Sequence, residues 1–158
     1  MNRNPTVTKL LMTLTLSTLC SSTSFARSEE RAGQVGPFTI LRVYDGNDST
    51  RCVASIGSGQ SVMRISISYD KKYAISVPGV RKNAKLIMYI EPPDGDDISF
   101  AATSDGNRSW GDIDAKQFRT FLRIKNEISV QIDGVKFNYL IGNTSLAEVA
   151  RKTEQCNK

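Results

Sequence analysis

The stretch EISVQIDGVKFNYLI, residues 127–141, decides the class of fold. Ile128, Val130 and Ile132 alternate with Glu127, Ser129 and Gln131, and after Asp133-Gly134 the alternation resumes at Val135, Phe137, Tyr139 and Ile141. A side-chain period of two belongs to a strand with one buried face, and Asp-Gly supplies the positive φ angles of a type I′ turn. The segment reads as a β-hairpin.

The same period recurs upstream. Met63, Ile65, Ile67 and Tyr69 face one way while Arg64, Ser66, Ser68 and Asp70 face the other. Tyr73, Ile75 and Val77 repeat the pattern, Leu86, Met88 and Ile90 do so again, and Ile98, Phe100 and Ala102 make a shorter run. With further strands at 38–44 and near Cys52, about seven or eight strands at short spacing predict a mainly β domain of antiparallel sheets, a β-sandwich or barrel-like arrangement.

Two short helices interrupt the pattern. Asp114 can cap the first, with Gln117 reaching back, and Ala115, Phe118, Phe121 and Leu122 share its apolar face. Ser145 and Glu148 play the same parts for the second, where Leu146, Val149, Ala150, Thr153 and Cys156 lie on one face.

Before the β pattern, Arg3 and Lys9 precede an uncharged run at 10–19. At roughly 10 residues that run is too short to span a bilayer, and it fits the hydrophobic region of a secretory signal. Ser24 and Ala26 are the small residues a signal peptidase needs, so the expected cut follows Ala26. Leu19 before Cys20 argues against a lipoprotein. Residues 1–26 are thus read as signal peptide, 27–36 as a flexible lead-in and 37–158 as a single β-rich domain with no transmembrane segment. The mature chain has 158 − 26 = 132 residues and a charge of 19 − 16 = +3, too mild for a dedicated nucleic-acid binder.

It also keeps two cysteines, Cys52 and Cys156, and an even count in an exported chain reads as a disulfide. A loop closed over 156 − 52 = 104 residues gains about 4 to 5 kcal/mol on the chain-entropy model. The expected location is periplasmic or secreted.

The chain contains no histidine, which excludes Ser-His-Asp and Cys-His machinery and histidine-ligated zinc. Gly57-Ser58-Gly59-Gln60-Ser61 looks like a phosphate loop but lacks the Gly-Lys-Ser/Thr ending and a following helix, so it reads as a turn. Carboxylates cluster at Glu91, Asp94, Asp96, Asp97, Asp105, Asp112 and Asp114, with Arg108 the one base among them. As a calcium loop the run from Asp105 fails, because Trp110 replaces the glycine and Lys116 the closing glutamate. Asp94-Gly95-Asp96-Asp97 is a natural solvated turn. No catalytic residue, metal or cofactor is assigned.

The preceding segment is basic, with Arg64, Lys71, Lys72, Arg81, Lys82 and Lys85, and Lys116, Arg119 and Arg123 line the first helix. Gathered in the fold these would attract an anionic glycan, a lipid surface or an acidic protein; dispersed, they are a solvated face. Trp110, the sole tryptophan, is either an exposed partner anchor or a plug for the end of the domain. Trp110, Asp94, Asp96 and Asp97 are the candidate partner contacts.

A signal peptide, an early cysteine at Cys52, strand pairs over 63–77, a helix at 115–122 and an ending at 137–147 in which the hairpin strand runs into Gly142 and a small-residue helix make up a layout. It resembles the invasion-associated-locus-B-like family of small periplasmic β-sandwich proteins of Gram-negative bacteria. The resemblance implies a non-enzymatic envelope protein linked to host interaction, and brings no functional residues with it.

The expected function is that of an exported, non-enzymatic binding module whose partner is an unknown envelope or host protein. An inhibitor or immunity protein, contacting a basic envelope enzyme through the acidic run 91–114, is the alternative. A carboxylate-dependent hydrolase is the second, and needs two acids converging at about 5 to 9.5 Å.

Overall fold

A computed structural model of the protein describes residues 28–45, 48–92 and 97–157. The expected signal peptide and its expected cut after Ala26, together with Asp94 and Asp96, lie outside the described residues. Among the described residues ten strands run in chain order: β1 (Ser28–Val35), β2 (Phe38–Asp45), β3 (Asp48–Ile56), β4 (Met63–Ile67), β5 (Tyr73–Pro78), β6 (Asn83–Glu91), β7 (Ile98–Ser104), β8 (Arg108–Ile113), β9 (Asn126–Ile132) and β10 (Val135–Gly142). Helix α1 (Ala115–Phe121) follows β8, and α2 (Leu146–Cys156) follows β10.

All ten strands belong to one antiparallel sheet in the order β1-β2-β3-β4-β5-β8-β7-β6-β9-β10. The sheet does not close, so the barrel-like alternative is overturned, and the strand number exceeds the expected seven or eight. The two extra strands are those whose side chains hide a period of two. In β1, residues 28–32 are all exposed, and it is held at the sheet edge by backbone pairing with β2 from Ser28↔Tyr44 to Val35↔Phe38. The stretch read as a flexible lead-in is therefore a strand over 28–35. In β8 the inward positions are Ser109, Gly111 and Ile113, two of them too small to register as apolar.

The hairpin that decided the class forms as read. Ile132 pairs with Val135 across a two-residue turn in which Asp133 and Gly134 take φ of 49° and 76°. Tyr69, by contrast, leaves the expected strand: β4 ends at Ile67, Lys71 turns with φ of 58°, and Tyr69 is exposed.

β7 and β8 meet through only Thr103↔Trp110 and Ser104↔Ser109. There a Cβ on Gly111 would lie 2.4 Å from the Ala101 carbonyl oxygen, a contact only glycine permits. Away from this joint the two halves of the sheet turn their inner faces onto one core. Ile65, Ile67 and Ile75 from one half share it with Met88, Ile90, Ile128 and Ile132 from the other.

Asp114 caps α1, accepting from the Lys116 and Gln117 backbone N–H groups at 2.8 Å each. Gln117 does not complete a reciprocal box; its amide donates to the Ser99 carbonyl. Phe118 and Phe121 enter the core, with Phe118 stacked on Tyr73 at 4.0 Å between centroids, while Ala115 stays exposed.

α2 starts at Ser145, whose hydroxyl accepts from the Glu148 N–H, and buries Leu146, Val149, Ala150 and Thr153 against β1 to β4. Its last residue, Cys156, is bonded to Cys52 of β3, with Cα atoms 6.0 Å apart. Asn157 then donates to the Ile67 carbonyl at 2.8 Å, fixing the end of the helix over the sheet. No helix among the described residues is long and apolar enough to cross a membrane.

Candidate functional site

Alternation that sends Ala54, Ile65 and Ile75 inward sends their neighbours to the other face of the same strands. Register then aligns those outward residues into rows: Val53, Ser66, Ala74 and Asp112 in one, Arg64, Ser76 and Trp110 in the next, and Pro78 with Arg108 beyond. Together with Arg51 these positions, Asp112 excepted, floor an open groove of about 880 Å³, bounded by the glycine-containing turns around Gly59 and Gly106.

The groove is concave because the sheet coils. Glu29 on β1 and Arg64 on β4 are three places apart in the strand order, a backbone separation of about 14 Å in a flat sheet. Their side chains nevertheless meet in a two-pronged ion pair at 2.5 and 3.0 Å. Val43 and Val53, fully and almost fully buried, lie on this outer side, apart from the main core.

Arg108 is built in from two directions, donating to the Val62 carbonyl at 2.5 Å and to the Ser76 hydroxyl at 2.7 Å. Burial, and then the charge of neighbouring Arg64, push its guanidinium pKa below the ordinary value, yet arginine keeps its charge throughout the working range. The Arg51 Nε is buried with no hydrogen-bond partner. On the core side, burial pushes the Tyr139 phenol up to about 12 against the pull of the Arg108 charge.

One carboxylate, Asp105, also lines the groove, but its Oδ1 is spent on the Asn107 and Arg108 N–H groups at 2.7 Å each. Those two bonds hold its pKa below the usual carboxylate value.

Among the sequence candidates, Trp110 lies on the groove and is 40% exposed, so it does not plug the core. Asp97 is exposed and immediately precedes β7, six residues, or about 20 Å of strand, from Thr103, the partner of Trp110. The structure does not bring those two together. Glu91 pairs with Lys136 at 2.7 Å, Asp112 stands on the outer face of β8 and Asp114 caps α1. Among the described residues no group of three or more Asp, Glu, Cys or His could hold a metal.

The basic run does not gather either. Arg64 alone of it enters the groove; Lys72 pairs with Asp70 in the β4–β5 turn, and Arg81 pairs with Asp133. Arg51 and Arg108 were missed by sequence reasoning. Their only signal is an outward position in a strand, and the strand order that makes β8 the neighbour of β5 is what assembles them with Arg64.

Comparison with protein-family models, with curated proteins and with solved structures gave no match. The chemistry of the groove therefore stands on its own residues: forked cation donors, hydroxyl and amide side chains, and one exposed indole.

Proposed function

We propose that this chain is an exported, non-enzymatic binding module of a bacterial envelope and that the groove on β3, β4, β5 and β8 is its partner-binding surface. The observation that carries the reading is the convergence of Arg51, Arg64 and Arg108 with Trp110 on one concave face. Arginine and tryptophan are the side chains that most often dominate binding energy, and a cavity of about 880 Å³ falls in the size range of ligand sites. The Cys52–Cys156 bond supports the exported location, because such bonds persist in oxidising compartments.

Two measurements test this. Intact mass of protein from its native envelope or medium should correspond to a chain starting at Arg27 that accepts alkylating label only after reduction; a full-length mass with free thiols refutes export. Envelope components captured by the wild type should be lost with Trp110→Ala and with Arg51→Ala, and capture indifferent to both variants refutes the groove.

A further inference from the structure

We propose that the groove binds the carboxylate-bearing sugars of an anionic polysaccharide, and that Glu29 is an internal carboxylate which such a ligand displaces from Arg64. This deepens the binding-module reading and rests on it.

The site already holds a carboxylate. Glu29 meets both terminal nitrogens of Arg64 in the geometry a guanidinium offers to any carboxylate. Both side chains are 30% exposed, so an incoming anion can reach the pair from solvent and exchange one carboxylate for another on the same fork. Glu29 sits on β1, an edge strand exposed over 28–32, so it can withdraw without opening the core.

Donors beside it await a second contact. Arg108 uses two of its guanidinium N–H groups on Val62 and Ser76, which fix the fork and leave the rest for a ligand. The buried Arg51 Nε has no partner, a cost that a bound acceptor would remove.

The floor selects a sugar over a peptide. It is the face of a sheet, not an edge, so its backbone N–H and C=O groups are spent in the ladders joining β3, β4, β5 and β8. A peptide main chain would find no main-chain partner there. Sugar hydroxyls instead meet Ser66, Ser76, Gln60 and Asn107, while the half-exposed indole of Trp110 offers a flat apolar surface to a ring face. At the two bounding turns a Cβ placed on Gly59 or Gly106 would meet nothing within 4 Å, so neither turn is packed against another part of the protein at that point.

The test uses the mature, oxidised protein and three probes, tetragalacturonate, its neutral methyl ester and hexaglutamate, with the tetragalacturonate titration repeated at high salt. Tetragalacturonate should quench or shift Trp110 fluorescence and move groove amides by NMR, and the ester should bind at least about tenfold more weakly. Raising the salt from about 0.05 to 0.5 M should weaken tetragalacturonate several-fold. Arg108→Lys, which keeps charge but loses the fork, and Trp110→Ala should each lower affinity by about fivefold or more. Glu29→Gln should raise it about threefold to tenfold, a gain that misfolding cannot imitate.

Equal binding of hexaglutamate would overturn the sugar assignment in favour of acidic peptides. Unchanged or weaker binding by Glu29→Gln would overturn the displacement. Groove amides silent to every probe, while Trp110→Ala still abolishes envelope capture, would overturn the glycan ligand and leave the binding-module reading standing.

Discussion

The outer face of β3, β4, β5 and β8 and the outer face of β6, β7, β9 and β10 come from the same alternating code but end differently. On the first, Val53 is 1% exposed on the floor of a groove, and Arg51, Arg64 and Arg108 converge around it. On the second, Ile87, Tyr89 and Leu140 stand exposed, Leu140 by 76%. Coiling separates the two. β1 and β2 rise over one face until Glu29 reaches Arg64, whereas β10 ends the other half as an edge. A polar face becomes a site when the sheet's curvature lets side chains from non-adjacent strands meet.

The contrast breaks most readily at the clamp. α2 and the Cys52–Cys156 bond hold chiefly the β1–β4 side, so replacing both cysteines by serine should cost about 3 kcal/mol and raise hydrogen exchange in β1 to β3 more than in β9 and β10. Equal exchange across both halves would show that they open as one unit.

The joint comes next in size. Gly111→Ala forces a methyl group against the Ala101 carbonyl and the Phe100 ring, and should cost about 2 kcal/mol in denaturant unfolding. A neutral result would mean that β7 and β8 can part without harm and that the groove does not depend on their crossing.

Acid sharpens the comparison locally. The Asp105 pKa is lowered on folding by the Asn107 and Arg108 N–H groups, so its contribution is present above the unfolded value of about 3.9 and disappears as pH falls through the lower folded value. Amide shifts of Asn107 and Arg108 should move in that window and their exchange should quicken, while β9–β10 amides stay still. Asp105→Asn should remove that pH response.

The smallest effect belongs to the bare face. Leu140→Ser should change stability by no more than about 0.5 kcal/mol and leave Trp110 fluorescence and groove binding untouched. A larger change would mean that this face, too, has a function.

Much of this molecule is legible residue by residue. The Asp133-Gly134 hairpin, the Asp114 and Ser145 caps and the inward direction of Cys156 all follow from contacts within a few positions, where local geometry leaves one answer. β1 and β8 are not legible, because an exposed edge strand needs no apolar side chains and a strand crossing a tight joint needs small ones. Of the site, Trp110 alone stands out as a rare large residue in a polar stretch. Arg51 and Arg108 look like any outward strand residue.

By itself, then, the sequence determined an antiparallel β domain, two capped helices and one disulfide, since each is encoded in short-range periodicity, turn chemistry or a cysteine count. Tertiary structure alone decided that the sheet is single and open, that β8 lies beside β5, and that three arginines separated by up to 57 positions (108 − 51) share one concavity. Strand order and coiling depend on how all ten strands bury one core together, and no window of sequence contains that information.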